Sequence, residues 1–104
     1  MKIWVDDVRK APDDYIWCRS VNEVKEVILM LLQRNLKLQE AIEVIDLDHD
    51  SGEYAVYGGD YIKLLDWLEK FNLGTGIVFR LHSQNPVGRE NMEKVIRKNN
   101  WILK

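Results

Sequence analysis

The chain has a single cysteine, Cys18, so neither a disulfide framework nor a cysteine-based metal cluster can be built from it. It has no apolar run approaching the ~18 residues that a membrane span requires, and no basic segment leading into an apolar one at its start. These absences predict a soluble, cytoplasmic chain with no membrane association. Linkers, internal repeats and low-complexity segments are absent as well, and 104 residues leave no room for a second core, so one domain over residues 1–104 is expected. Excess positive charge is missing too. The net charge is −2, and residues 1–60 hold 7 basic and 13 acidic side chains against 8 and 4 in residues 61–104. An acidic first part repels nucleic-acid backbones and attracts cations, which argues against a DNA-binding face and for a cation among the amino-terminal acids.

What is present is a set of short apolar runs that each stop at polar residues. Lys2 to Val5 is strand-like and ends at Asp6-Asp7, residues disfavoured inside strands. Tyr15 to Cys18 is strand-like again; the intervening segment is short for a parallel crossover and points to a loose hairpin. Ser20 with Glu23 has capping-box spacing, and Val21, Val24, Val27, Ile28 and Leu31 repeat at helical intervals up to about Gln33. Ile42 to Leu47 leads into Asp48-His49-Asp50-Ser51-Gly52, where a strand should end. Asp60 can cap a helix carrying Tyr61, Leu64, Leu65, Leu68 and Phe71 on one stripe, closed near Gly74. Ile77 to Leu81 is a buried-type strand, followed by His82 and Ser83. Asn85 and Pro86 stand in N-cap order before a helix with Met92, Val95 and Ile96 inward, and Trp101 to Leu103 is a last strand. The order β, β, α, β, α, β, α, β implies an α/β domain in three layers around a mostly parallel five-stranded sheet. The crevice outside the carboxyl ends of such strands is where ligands bind.

Three strand ends therefore bring Asp6-Asp7, Asp48-His49-Asp50 and His82-Ser83 together. Carboxylates of Asp6, Asp7 and Asp48 suit a hard cation such as magnesium, with solvated turns as the plain alternative. Asp46, Asp48 and Asp50 alternate, so extended backbone would put them on one face. They do not form a calcium loop, because that loop's glycine and glutamate positions hold Ser51 and Tyr57. His49 and His82 are the chain's only histidines. An imidazole pair near neutral pKa can act as general base and general acid in phosphoester cleavage, although a hydrogen-bonded structural role fits a histidine equally. Ser83 and the start of the following helix can hold a phosphate oxygen, whereas Asn85 serves as a helix cap or as a ligand. Gly58-Gly59 permits close approach of an anion, and the four tryptophans read as core rather than as a stacking platform.

The acids after the first strand, the acid ending the central strand and the serine after the next strand resemble the receiver domain of response regulators. By that resemblance Asp6 and Asp7 bind magnesium, Asp48 accepts a phosphoryl group and Ser83 is the switch hydroxyl. The helix between the first two strands is missing, and only Lys104 stands for the usual lysine ending the last strand. More closely, Asp6-Asp7-Val8-Arg9, Leu47-Asp48-His49-Asp50 and the run from His82 through Asn85-Pro86-Val87-Gly88 to Asn91-Met92 are similar to the cyclic-phosphate-processing receiver-like domains. That resemblance implies a flavodoxin-like fold lacking its first helix and an activity on cyclic phosphates of nucleotides or RNA ends. Catalysis would then fall to His49, His82 and Asp48, and phosphate binding to Arg9, Ser83 and Asn85, with Arg89 a further contact. A non-catalytic module binding a phosphorylated ligand or partner, and a phosphoacceptor, remain open alternatives.

Overall fold

The computed structural model describes all residues 1–104. Five strands, β1 (Lys2–Val5), β2 (Tyr15–Cys18), β3 (Val44–Leu47), β4 (Val78–Leu81) and β5 (Ile102–Leu103), form one sheet in the order β2-β1-β3-β4-β5. Every pairing is parallel. The hairpin expected of β1 and β2 is therefore corrected: Lys2 pairs with Tyr15 and Val5 with Cys18, both strands running the same way. The physical reason is that the crossover needs no helix. Nine residues, Asp6–Asp14, reach about 30 Å when extended, whereas re-entering beside a four-residue strand requires a return of only about 13 Å.

Helix α1 (Val21–Gln33) starts where its cap was expected: Ser20 Oγ accepts the Glu23 amide at 3.1 Å, and Val21, Val24, Ile28 and Leu31 are buried. The Glu23 carboxylate reaches one residue further back than a capping box requires and accepts the Arg19 amide. Helix α3 (Ile62–Lys70) buries Leu64, Leu65 and Leu68, but Asp60 does not cap it. That carboxylate instead accepts the Ser51 amide and hydroxyl, both at 3.1 Å. Helix α4 (Pro86–Lys98) has Asn85 as its cap and Met92 and Ile96 as its buried stripe. Two short elements have no counterpart in the sequence pattern: α2 (Leu38–Ala41) and a 3-10 turn over Gly52–Tyr57.

Side chains alternate across the sheet. Ile3, Val5, Ile45, Leu47, Phe79 and Leu81 enter one core with the buried faces of α1, α3 and α4, which lie side by side on that face. Trp4, Trp17, Asp46 and Arg80 point the other way. There the covering layer is reduced to the Asp6–Asp14 crossover, tied down by Trp4 Nε1 donating to the Arg9 carbonyl at 2.9 Å. Cys18 is buried in the core and its thiol is pushed up to about 12, chiefly by burial, as expected of an inert cysteine.

Candidate functional site

The parallel register carries β1, β3 and β4 to a common end, so Asp6, Asp48 and His82 leave the sheet side by side. Ligand oxygens of Asp6, Asp7 and Asp48 lie within 4.8 Å of one another. Asp6 is fully buried and heavily engaged. One carboxylate oxygen accepts the Val8 and Arg9 amides at 2.9 and 2.8 Å, and the other meets His82 Nε2 at 2.9 Å. Burial alone would raise its pKa, but these bonds outweigh that and hold it below the usual carboxylate range. Asp7 goes the other way, raised by burial and by the neighbouring charges of Asp6 and Asp48. No side chain donates to the Asp7 or Asp48 carboxylates; Asp48 accepts only the His49 amide, at 2.8 Å. An all-oxygen cluster with an unbalanced negative charge suits a hard divalent cation.

His82 stands between two acids: Nδ1 meets Asp46 Oδ1 at 2.7 Å while Nε2 meets Asp6. Burial would lower its pKa, but the two carboxylate bonds and charges raise it above the ordinary 6.5. The ring also lies flat on Trp4, centroids 3.9 Å apart and planes 5° from parallel, a face-on contact that favours a cation. Both of its nitrogens are thus engaged by carboxylates. His49 differs: Nδ1 meets Asp50 Oδ1 at 2.8 Å, and Nε2 has no partner within the protein. Gly88, in the first turn of α4, lets this ring lie against the helix, since a Cβ there would stand 2.6 Å from His49 Cδ2 and 2.7 Å from Nδ1. Gly52, at φ 53°, likewise turns the chain tightly against the Asp7 carboxylate.

Ser83 is buried, its hydroxyl accepting the Asn85 amide at 3.1 Å. Asn85 caps α4 through the Gly88 amide and reaches Asp50 with its amide group at 3.4 Å. Exposed Arg9 donates to the His82 carbonyl at 3.3 Å. Arg89 is drawn along α4 to Glu93. Lys104 lies level with Arg80, not with His82. Asp46, Asp48 and Asp50 do not share a face, because β3 ends at Leu47: Asp46 holds His82, and Asp50 holds His49. The glycines at 58 and 59 both adopt positive φ and close the 3-10 turn against α1 and Lys63.

Several participants carried no recognised signal. Asp46 was visible as an acid inside an apolar strand, a costly placement that requires a partner. Arg19 donates twice to the Asp7 carbonyl, at 3.0 and 2.7 Å, with its guanidinium between the rings of Trp17 and Tyr54 at 4.9 and 4.8 Å. Fully buried Tyr61 donates to the Arg19 carbonyl at 2.7 Å. None of the four concavities on the molecule is lined by Asp6, Asp7, Asp48, His49 or His82. The acidic centre therefore lies outside the concavities of the molecule.

A parallel sheet in this order, with acids at the ends of β1 and β3 and a buried serine after β4, defines a receiver-like α/β domain. The chain matches the cyclic-phosphate processing receiver domain over residues 1–98, and it belongs to that family. It matches no curated protein and no solved structure.

Proposed function

We propose that this domain is a phosphoesterase that opens cyclic phosphates of nucleotides or RNA ends at the carboxyl ends of β1, β3 and β4. The observation that carries the reading is His49, the residue after Asp48: Asp50 fixes one ring nitrogen and the other is left unpartnered, with Asp60 grouped beside it. That is the arrangement of a general base with its orienting acid. In this reading His49 Nε2 takes a proton from water as the water oxygen bonds to phosphorus. The phosphorus–ribose oxygen bond breaks, the departing oxygen takes a proton from solvent, and a phosphomonoester results. Magnesium among Asp6, Asp7 and Asp48 would supply positive charge to the phosphoryl oxygens. His82, with both nitrogens committed, acts as a positioning residue that aligns Asp6 and Asp46. Arg9, Ser83 and Asn85 line the approach as phosphate contacts.

The test is turnover of 2′,3′-cyclic mononucleotides with and without magnesium, by the wild type and by His49→Gln. We expect a magnesium-dependent monoester product and a loss of 10²-fold or more in kcat for the variant, on the order of what general-base removal costs. Equal rates for the two proteins would refute the role of His49. A thermal shift without product would indicate a binding module, and one added phosphoryl mass at Asp48 after acetyl phosphate would indicate a phosphoacceptor.

A further inference from the structure

On the sheet face opposite the helices lies a groove of about 290 Å³ lined by Lys2, Tyr15, Val44, Val78, Arg80 and Lys104. Three of these are cations, and none of them has a carboxylate within 4.0 Å, although Glu43 also lines the groove. Its floor is apolar: Val44 is only 4% exposed while standing outside the main core, and Val78 is half-buried beside it. Its wall is aromatic, with the Lys2 ammonium 5.6 Å from the Tyr15 ring centroid. From Tyr15 a line of rings leads to the acidic centre, through Trp4 at 6.1 Å and then to His82 at 3.9 Å. Two residues along a strand advance about 6.6 Å, so Arg80 lies one such step, and Val78 two, below His82.

The geometry points to a strand-binding subsite: the groove takes the sugar-phosphate chain of a single-stranded oligonucleotide whose terminal cyclic phosphate is at the acidic rim. This rests on the phosphoesterase reading above and adds the substrate class, an oligonucleotide end instead of a free nucleotide. Charge selects this groove over the concavity beyond the carboxyl end of β2, which is lined by Glu23 and Glu26 and would repel phosphates. Aromatic rings beside unpaired cations are the combination that holds single strands, since every base has a face to stack and every linkage a charge to meet. An acidic peptide would need the cations but not the rings. The overall net charge of −2 does not oppose this, because the site meets only the few phosphates next to the reacting end.

The experiment compares a 2′,3′-cyclic mononucleotide with an RNA tetranucleotide ending in the same group, using the wild type and an Arg80→Gln, Lys104→Gln double variant. Both residues are exposed, so folding should be unaffected. We expect KM for the tetranucleotide to be about tenfold lower than for the mononucleotide. Three phosphate contacts to a single strand give a log–log salt slope of about −2 for tetranucleotide binding. In the double variant that advantage disappears while mononucleotide turnover stays unchanged. Equal handling of both substrates by the wild type, or equal losses on both in the variant, overturns the subsite. Should neither substrate turn over, the phosphoesterase reading fails separately, and anisotropy with a labelled RNA tetranucleotide ending in 3′-phosphate still decides the groove. Salt-sensitive binding lost in the variant supports it; no binding, or equal binding of oligoglutamate, overturns it.

Discussion

Replacing Gly88 by alanine separates the stability of this domain from its chemistry. The added methyl group would stand 2.6 and 2.7 Å from two atoms of the His49 ring, about 1 Å inside ordinary carbon contact. The ring, packed against α4, must withdraw by that amount. Withdrawal breaks its 2.8 Å bond to Asp50, whose side chain is 62% exposed, so the loss is at most about 1 kcal/mol. Against this, alanine gains up to about 1 kcal/mol over glycine within a helix. The two nearly cancel, and the melting temperature should move by no more than about 4–8 °C, the equivalent of 1 kcal/mol in a domain this small. In the proposed phosphoesterase reading, turnover would have no such compensation, because a displacement near 1 Å of the proposed base costs about 10²-fold. Calorimetry, cyclic-nucleotide turnover and the imidazole resonances of His49 read the three quantities. Wild-type turnover with unmoved His49 resonances would falsify the constraint assigned to Gly88, and a loss of stability above about 3 kcal/mol would show that the helix, not the ring, absorbs the clash.

Two further outcomes follow from the charges and from the clamp on Asp7. His82 has a folded pKa above its ordinary 6.5, so its contribution to stability is fully present below that value and is lost as pH rises through the folded pKa. Asp6, lowered, contributes above 3.8 and loses its contribution as pH falls through its folded value. Metal-free protein in EDTA should therefore lose stability on the alkaline side. His82→Gln should cost about 3 kcal/mol at pH 6, as for other broken buried pairs, and flatten that alkaline limb; an unchanged limb in denaturant titrations refutes the assignment. Arg19→Lys keeps the charge but loses the forked bond to the Asp7 carbonyl and the packing between Trp17 and Tyr54. Magnesium affinity by calorimetry should weaken about tenfold, or about 1.4 kcal/mol, and unchanged affinity would show that Asp7 does not depend on the clamp.

Much of this was legible in the residues. The stripe Val21, Val24, Ile28 and Leu31 is buried as its spacing required, and Asn85 caps α4 as its place before Pro86 suggested. The stops at Asp6, Asp48 and His82 did mark strand ends that meet. Illegible were the features set by register and by tertiary reach. Asp46 and His82 are 36 positions apart and meet only because β3 and β4 align Leu47 with Leu81. The parallel sense of β1 and β2 is hidden in the sequence because parallel crossovers usually carry a helix, and this nine-residue one does not. Asp60 resembled a cap and became the anchor of Ser51, since a carboxylate at a turn has several amides within reach.

Trp17 Nε1 holds the Asp6 carbonyl at 2.8 Å, Trp4 holds that of Arg9 and Arg19 that of Asp7, so two side chains from the flanking strands and one from just beyond β2 fasten the backbone of one nine-residue bridge. Most acid-bearing loops must surrender freedom when an ion arrives. Here the backbone of Asp6 and Asp7 is ordered during folding, so a cation proposed to bind there would find the two residues set in place like jaws already fixed to their gap.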